Sequence, residues 1–266
     1  MVLSAYTREF SYNLKLAFPV ILGMLGHTLI GIVDKLMVGR LGAAELAAVS
    51  LGNSFIFVAM SIGIGFSTAI TPIVAQADAA KDKTQVQSAF HHGLVLSTLM
   101  GVLLFIAVFF CKPIMYFMGQ PKDVIILATP YLGWVAFSLI PAIAYQGYKQ
   151  FADGMALTKY PMYAIILSNI IHIPLNYLLI YGFWIIPKMG VTGAAIGTVI
   201  SRIAMLIFMH YLLANRSKVR EYFLGFSLRK LSREMTAKKP ATRQTRRAKL
   251  SLKIGRAAKT KRCGGT

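Results

Sequence analysis

The 266-residue chain is 56% hydrophobic and only 14% charged, with a mean hydropathy of +0.60. That balance excludes an ordinary soluble domain and points to an integral membrane protein. The net charge of +20 is unevenly held: residues 1–214 carry 12 Lys and Arg against 7 Asp and Glu, and residues 215–266 carry 17 against 2.

Hydropathy over a window of about 19 residues marks six apolar segments, at about 14–38, 46–76, 87–111, 124–150, 161–186 and 190–214. Residues 1–225 are therefore expected to form an all-α integral membrane bundle of six transmembrane helices. Residues 226–266 read as a polybasic cytoplasmic tail that is disordered, lies on an anionic surface or is translated out of frame. Six crossings put both termini on one side, and the Lys/Arg-rich tail makes that side cytoplasmic, in a cytoplasmic (inner) membrane. Cys111 and Cys263 lie far apart, which supports neither a disulfide framework nor a metal site.

The first segment lacks a cleavage site and reads as a retained helix. From Phe18 to Val38 only His27, Asp34 and Lys35 can carry charge. A mid-helix acid costs on the order of 2.5–3.5 kcal/mol on insertion scales, so Asp34 is a candidate site; the alternative is a carboxylate near a helix end, within reach of headgroup water and Lys35. His27 lies seven residues earlier, on the same face but roughly 10 Å away along the axis. It reads as a packing or hydrogen-bonding residue that can line a cavity.

In the second segment Ser50, Ser54, Ser61, Gly65 and Thr68 share a face, and small residues at that spacing let helices approach closely in lipid. Gly193, Gly197 and Ser201 of the sixth segment read as a second packing seam. In the fifth segment Asn169, His172 and Asn176 line one face. They can hold helices together by hydrogen bonds or take part in transport. If the first and fifth helices enter from the same side, Asp34 and Asn176 lie within roughly 6 Å of one depth. Arg202, near the middle of the sixth segment, reads equally as an ion-pair partner for an acid such as Asp34 or as an inward arginine bonded to carbonyls. Gln146 and Asn169 are further charge-partner or cavity-lining candidates. Phosphate-binding glycine loops, His-Glu zinc motifs, nucleophile elbows and clustered carboxylates are all missing, which leaves an enzyme reading without support.

Five ordered stretches resemble one family, the multidrug and toxic compound extrusion (MATE) transporters of the NorM-like type: GIVDKLMVGRLG, STAITPIVAQADAAKDK, FMGQPKDVIILATPYL, YQGYKQFADGMALTKYPM, and IHIPLNYLLIYG with MGVTGAAIGTVISR. The resemblance covers roughly residues 8–225. It implies a fold of twelve helices in two six-helix lobes, of which this chain matches the first. It also implies export of organic, often cationic compounds by antiport, with H+ or Na+ as the coupling ion, no other cofactor, and Asp34 handling the ion. The family's two polar positions on the fifth helix, commonly Asn and Asn or Asn and Asp, match His172 and Asn176, and His172 departs from that pattern.

One lobe cannot rock against itself. A truncated half-transporter completed by a missing second lobe or by a homodimer is therefore the expected form. The rival readings are a non-transporting membrane fragment whose basic tail binds anionic lipid, and a lipid-linked oligosaccharide flippase of a related superfamily, which would line its cavity with several cations. No specific nucleic acid partner is expected, because no recognised nucleic-acid-binding fold accompanies the basic tail.

Overall fold

A computed structural model describes residues 2–183 and 187–223, all within a compact unit that runs from Met1 to Gly225. The readings of the basic tail, 226–266, fall outside the described residues. Ten helices follow in order: α1 (Val2–Gly39), α2 (Ala43–Thr68), α3 (Ile70–Ala79), α4 (Lys83–Phe110), α5 (Ile114–Phe117), α6 (Lys122–Phe137), α7 (Leu139–Gly154), α8 (Lys159–Tyr181), α9 (Gly190–Ala214) and α10 (Ser217–Phe223). Six stretches are long and apolar enough to cross a membrane: Asn13–Gly39, Ala43–Ala79, Lys83–Phe110, Lys122–Gly154, Lys159–Tyr181 and Gly190–Ala214. The chain is thus a multi-pass membrane protein, an all-α bundle with six candidate spans.

Two of these spans are broken, and proline explains where. A proline offers no N–H to the carbonyl four residues back and its ring crowds that carbonyl. Pro72 denies a partner to Thr68 and Pro141 to Phe137, and those are the residues at which α2 and α6 end. Ala69 and Ser138 form the hinges before α3 and α7. Pro19, Pro130 and Pro174 instead lie inside continuous helices. The first helix also begins at Val2, well before the apolar run expected from about residue 14.

Two apolar cores organise the bundle. One gathers Val49, Ile56, Leu132, Leu139 and Ile143 with Ala194 and Ala195 of early α9. The other gathers Val74, Phe90, Tyr145 and Phe151 with Ile165 of early α8 and Met205, Met209 and Leu213 of late α9. Between them, on the middle turns of α8 and α9, polar residues are buried: Ser168, His172, Asn176, Thr198 and Ser201. Large apolar side chains such as Phe110, Ile126, Ile170 and Ile207 face outward, as lipid contact requires.

The seam expected on α9 is present. Gly193 lies against the backbone of Leu179, and a Cβ added at Gly197 would run into Oδ1 of Asn176, so α8 and α9 meet through glycine. The seam expected on α2 is not packed within this unit. Ser50, Ser54, Ser61, Gly65 and Thr68 are exposed, and nothing lies within 4 Å of a Cβ added at Gly65. The packing face of α2 is the neighbouring one, where Gly52 meets the Tyr131 ring and Gly63 meets Ile143. Small polar residues and small packing residues have the same spacing in sequence, and here the larger apolar neighbours decided which face turned inward.

Candidate functional site

Asp34 lies in the last turns of α1, and α1 is held to the bundle by little buried surface. Between Asn13 and Gly39 only Pro19, Gly23, Gly26 and Val38 are buried. The two glycines set α1 down on Ile165 and Asn169 of α8, where Asn169 Nδ2 donates to the Gly26 carbonyl at 3.0 Å. That close approach carries Asp34 to the polar turns of α8. Asn169 therefore positions α1, and the cavity wall does not include it.

The other two members of the α8 stripe converge on the acid. Asn176 Nδ2 donates to Asp34 Oδ1 at 2.7 Å, and His172 Nε2 stands 2.8 Å from the same oxygen. The two nitrogens are 3.0 Å apart. The side chain of His172 is 1% exposed and that of Asp34 14%, so the acid is the end that meets solvent. On the far side of the ring, His172 Nδ1 lies 3.1 Å from Ser201 Oγ, which itself donates to the Gly197 carbonyl at 2.7 Å. Asn176 Oδ1 rests on Gly197 and accepts no hydrogen bond among the described residues.

Asp34, His172 and Ser201 of this cluster form part of the wall of a cavity of ≈ 810 Å³ between the two cores, and Asn176 is buried behind them. His27, Gln146 and Arg202 also line it, as do Lys35, Asn53, Tyr131 and Tyr145. Tyr131 donates to Asn53 Oδ1 at 3.0 Å, tying α6 to α2 at the rim. Among the described residues the ion pairs are Lys83–Glu221, Lys149–Asp153 and His172–Asp34, so Arg202 is not in direct contact with Asp34. Its NH1 instead donates to Ser138 Oγ at 2.7 Å, and Ser138 passes its own hydrogen to the Val135 carbonyl at 2.6 Å. The hinge between α6 and α7 thus supplies the hydroxyl that anchors a mid-membrane guanidinium.

The sequence reading put Asp34 and Asn176 at about one depth, with His172 on the same face of α8 as Asn176, and the three side chains meet. It took Ser201 for a packing residue only and did not single out Ser138, Asn53 or Tyr131. For Ser138 the signal was Pro141; for Ser201, a small residue in a glycine seam, the sequence held none that separates packing from hydrogen bonding. Chemically, a carboxylate with two N–H-bearing neighbours and an imidazole backed by a hydroxyl can take up and release a proton. The cavity beside it has room for a small organic molecule. Among the described residues no group of three His, Cys, Asp or Glu side chains is arranged to hold a metal ion.

Comparison with known proteins gives the fold its kinship. Residues 19–178 match the family model MatE. The chain is 30% identical over 212 residues to the multidrug resistance protein NorM of Vibrio cholerae serotype O1, covering 79% of this chain and 46% of that protein. It is 31% identical over 193 residues to a probable multidrug resistance protein NorM of Rhizobium meliloti, covering 73% of this chain and 41% of the relative. In structure it is similar to the eukaryotic MATE transporter AtDTX14, with a TM-score of 0.78 at 22% identity, over 87% of this chain and 51% of that one. An outward-facing MATE family transporter of the MOP superfamily superposes with a TM-score of 0.71 at 24% identity, over 82% of this chain and 47% of the other. The chain spans about half the length of the curated relatives it matches. The family model covers more than half of the chain, and the chain belongs to the MatE family, that of the NorM and MATE efflux transporters.

Proposed function

We propose that this chain is one lobe of a cation-coupled antiporter that exports organic, often cationic compounds across the cytoplasmic membrane, with Asp34, His172 and Asn176 as its ion-coupling site. The observation that carries the reading is the hydrogen-bonded cluster of those three residues, of which Asp34 and His172 lie on the wall of the ≈ 810 Å³ cavity. A carboxylate that alternates between a neutral, ion-loaded form and a charged form can exchange one bound cation for another in the same space. Aromatic rings of Tyr131 and Tyr145 line the same cavity as the acid, a lining suited to lipophilic cations. The lobe works against a second one, supplied by another segment or by another copy, because alternating access is the rocking of one repeat against another. The basic residues of 215–266 support cytoplasmic termini.

The test is efflux of a cationic dye from cells that express the chain, driven by an imposed proton or sodium gradient. Asp34→Asn keeps the shape of the site and removes its exchangeable charge, so ion-driven efflux is expected to fall to the background of cells lacking the protein, at unchanged membrane abundance. Efflux retained by Asp34→Asn would remove the coupling role.

A further inference from the structure

We infer that the coupling site of this chain is an Asp34–His172 pair sharing a single exchangeable proton, with Ser201 deciding which ring nitrogen of His172 carries hydrogen. The inference rests on the ion-coupling reading above and narrows the coupling ion to the proton.

Hydrogen placement follows from counting donors. A serine hydroxyl has one hydrogen to give. While Ser201 gives it to the Gly197 carbonyl at 2.7 Å, its oxygen can only accept from His172 Nδ1 at 3.1 Å, and Nδ1 then carries hydrogen. Nε2 then faces Asp34 Oδ1 at 2.8 Å, and without a hydrogen between them two lone pairs would oppose each other at contact distance. One proton must lie there, on Nε2 as an imidazolium beside a carboxylate or on Oδ1 as a carboxylic acid beside a neutral ring. Both arrangements give the pair zero net charge. This is its loaded state.

Unloading is a balanced step within the same geometry. The Nδ1 proton leaves, Nε2–H stays and donates to Asp34 Oδ1, and the Ser201 hydroxyl turns from the Gly197 carbonyl to donate to the bare Nδ1. One proton departs, no heavy atom moves far, and the pair is left with a charge of −1. Asn176 Nδ2 donates to Oδ1 throughout at 2.7 Å. An organic cation in the cavity meets the charged pair, and an incoming proton neutralises it. Sodium is poorly served here, because hard cations want several oxygen ligands and the neighbours of Oδ1 are two nitrogens.

Other ionisable side chains face the cavity from every side that can influence the pair: His27 and Lys35 of α1, Tyr131 of α6, Tyr145 of α7 and Arg202 of α9. The facing polar residues of α2, Ser50, Asn53 and Ser54, are neutral. The test must therefore read His172 itself.

The experiment is solid-state NMR of the full chain in lipid bilayers with 15N-labelled histidine. The His172 signals are assigned by their loss in His172→Gln, and pH is titrated first in potassium and then in sodium salt. At acid pH His172 is expected to show a protonated Nδ1 with Nε2 in a strong shared hydrogen bond. At alkaline pH it is expected to show Nε2–H and a bare Nδ1, with one proton lost across the switch and no change when sodium replaces potassium. Ser201→Ala, a small change in a packed seam, is expected to displace the switch along the pH axis. A His172 that holds Nε2–H with a bare Nδ1 at every pH overturns the shared proton, and so does a switch that Ser201→Ala leaves in place. Sodium that abolishes the acid-form signals overturns the choice of ion. The coupling role of Asp34 fails separately, by ion-driven dye efflux that survives Asp34→Asn although His172 of the unsubstituted chain switches as described.

Discussion

At the scale of single residues, Gly197 decides whether the cluster can exist. Its missing side chain makes the space in which Asn176 lies, and a methyl group there collides with Asn176 Oδ1. Gly197→Ala is therefore expected to push Asn176 off Asp34 and to lower stability by about 1–3 kcal/mol, the range for overpacking a close contact. Thermal unfolding of the detergent-solubilised chain measures it, and ion-driven efflux should fall with it. Gly65→Ala is the control, since its added carbon meets nothing within 4 Å and should leave unfolding unchanged. The same four-residue spacing shows how far sequence alone could see. His172 and Asn176 were legible because polar side chains in an apolar helix announce a face. Ser201 was not, because a small residue in a glycine seam serves packing and hydrogen bonding equally, and only the position of the His172 ring separates the two. Arg202 had two open readings for a like reason: its partner Ser138 owes its place to a hinge.

At the scale of elements, the six spans were legible because each run exceeds the ~20 residues that the hydrocarbon core demands. Their internal breaks were not. Besides Pro161 in the first turn of α8, five prolines lie in these helices, and a proline in an apolar run does not say whether its neighbours will absorb a lost hydrogen bond or end the helix. Pro72 and Pro141 end helices, whereas Pro19, Pro130 and Pro174 do not. The attachment of α1 is equally a tertiary matter. This helix carries the acid yet contributes only four buried residues from Asn13 onward, two of them glycines seated on α8. Among the described residues α8 ties the α1 backbone through Asn169 to the Gly26 carbonyl and, at the far end, through Tyr181 to the Met37 carbonyl. Such bonds in a membrane average about 0.6 kcal/mol and reach about 1.7. Asn169→Ala is accordingly expected to loosen α1 by that amount, seen as faster hydrogen exchange along α1 with α4 and α6 unchanged. Equal acceleration in all three helices would show that Asn169 supports the whole bundle. A lightly held α1 also suits a coupling helix, because the element that responds to loading must be one the fold can release.

At the scale of the whole molecule, the exposed stripe of α2 and the cavity beside it have one common explanation. Ser50, Ser54 and Ser61 line the cavity and are exposed, and two of them back-bond to the helix itself, Ser54 to the Ser50 carbonyl at 3.0 Å and Ser61 to the Phe57 carbonyl at 2.8 Å. Hydroxyls satisfied in this way can face a second wall of protein without a cost in unpaired hydrogen bonds. With six spans the lobe starts and ends on the same side, so two lobes related by an axis along the membrane normal can close around such a face. On the reading proposed above, the facing lobe is a copy of this chain or another segment, and the chain spans about half the length of its relatives. Ser61→Cys, in a chain whose Cys111 and Cys263 are replaced by Ala, is expected to form a disulfide-linked dimer in oxidised native membranes. Moving the cysteine to the lipid-facing Ile207 should abolish the dimer. Monomer alone at both positions would exclude a symmetric pair at this face and leave the facing wall to another segment, whose identity the same cysteine could then report by cross-linking and mass spectrometry.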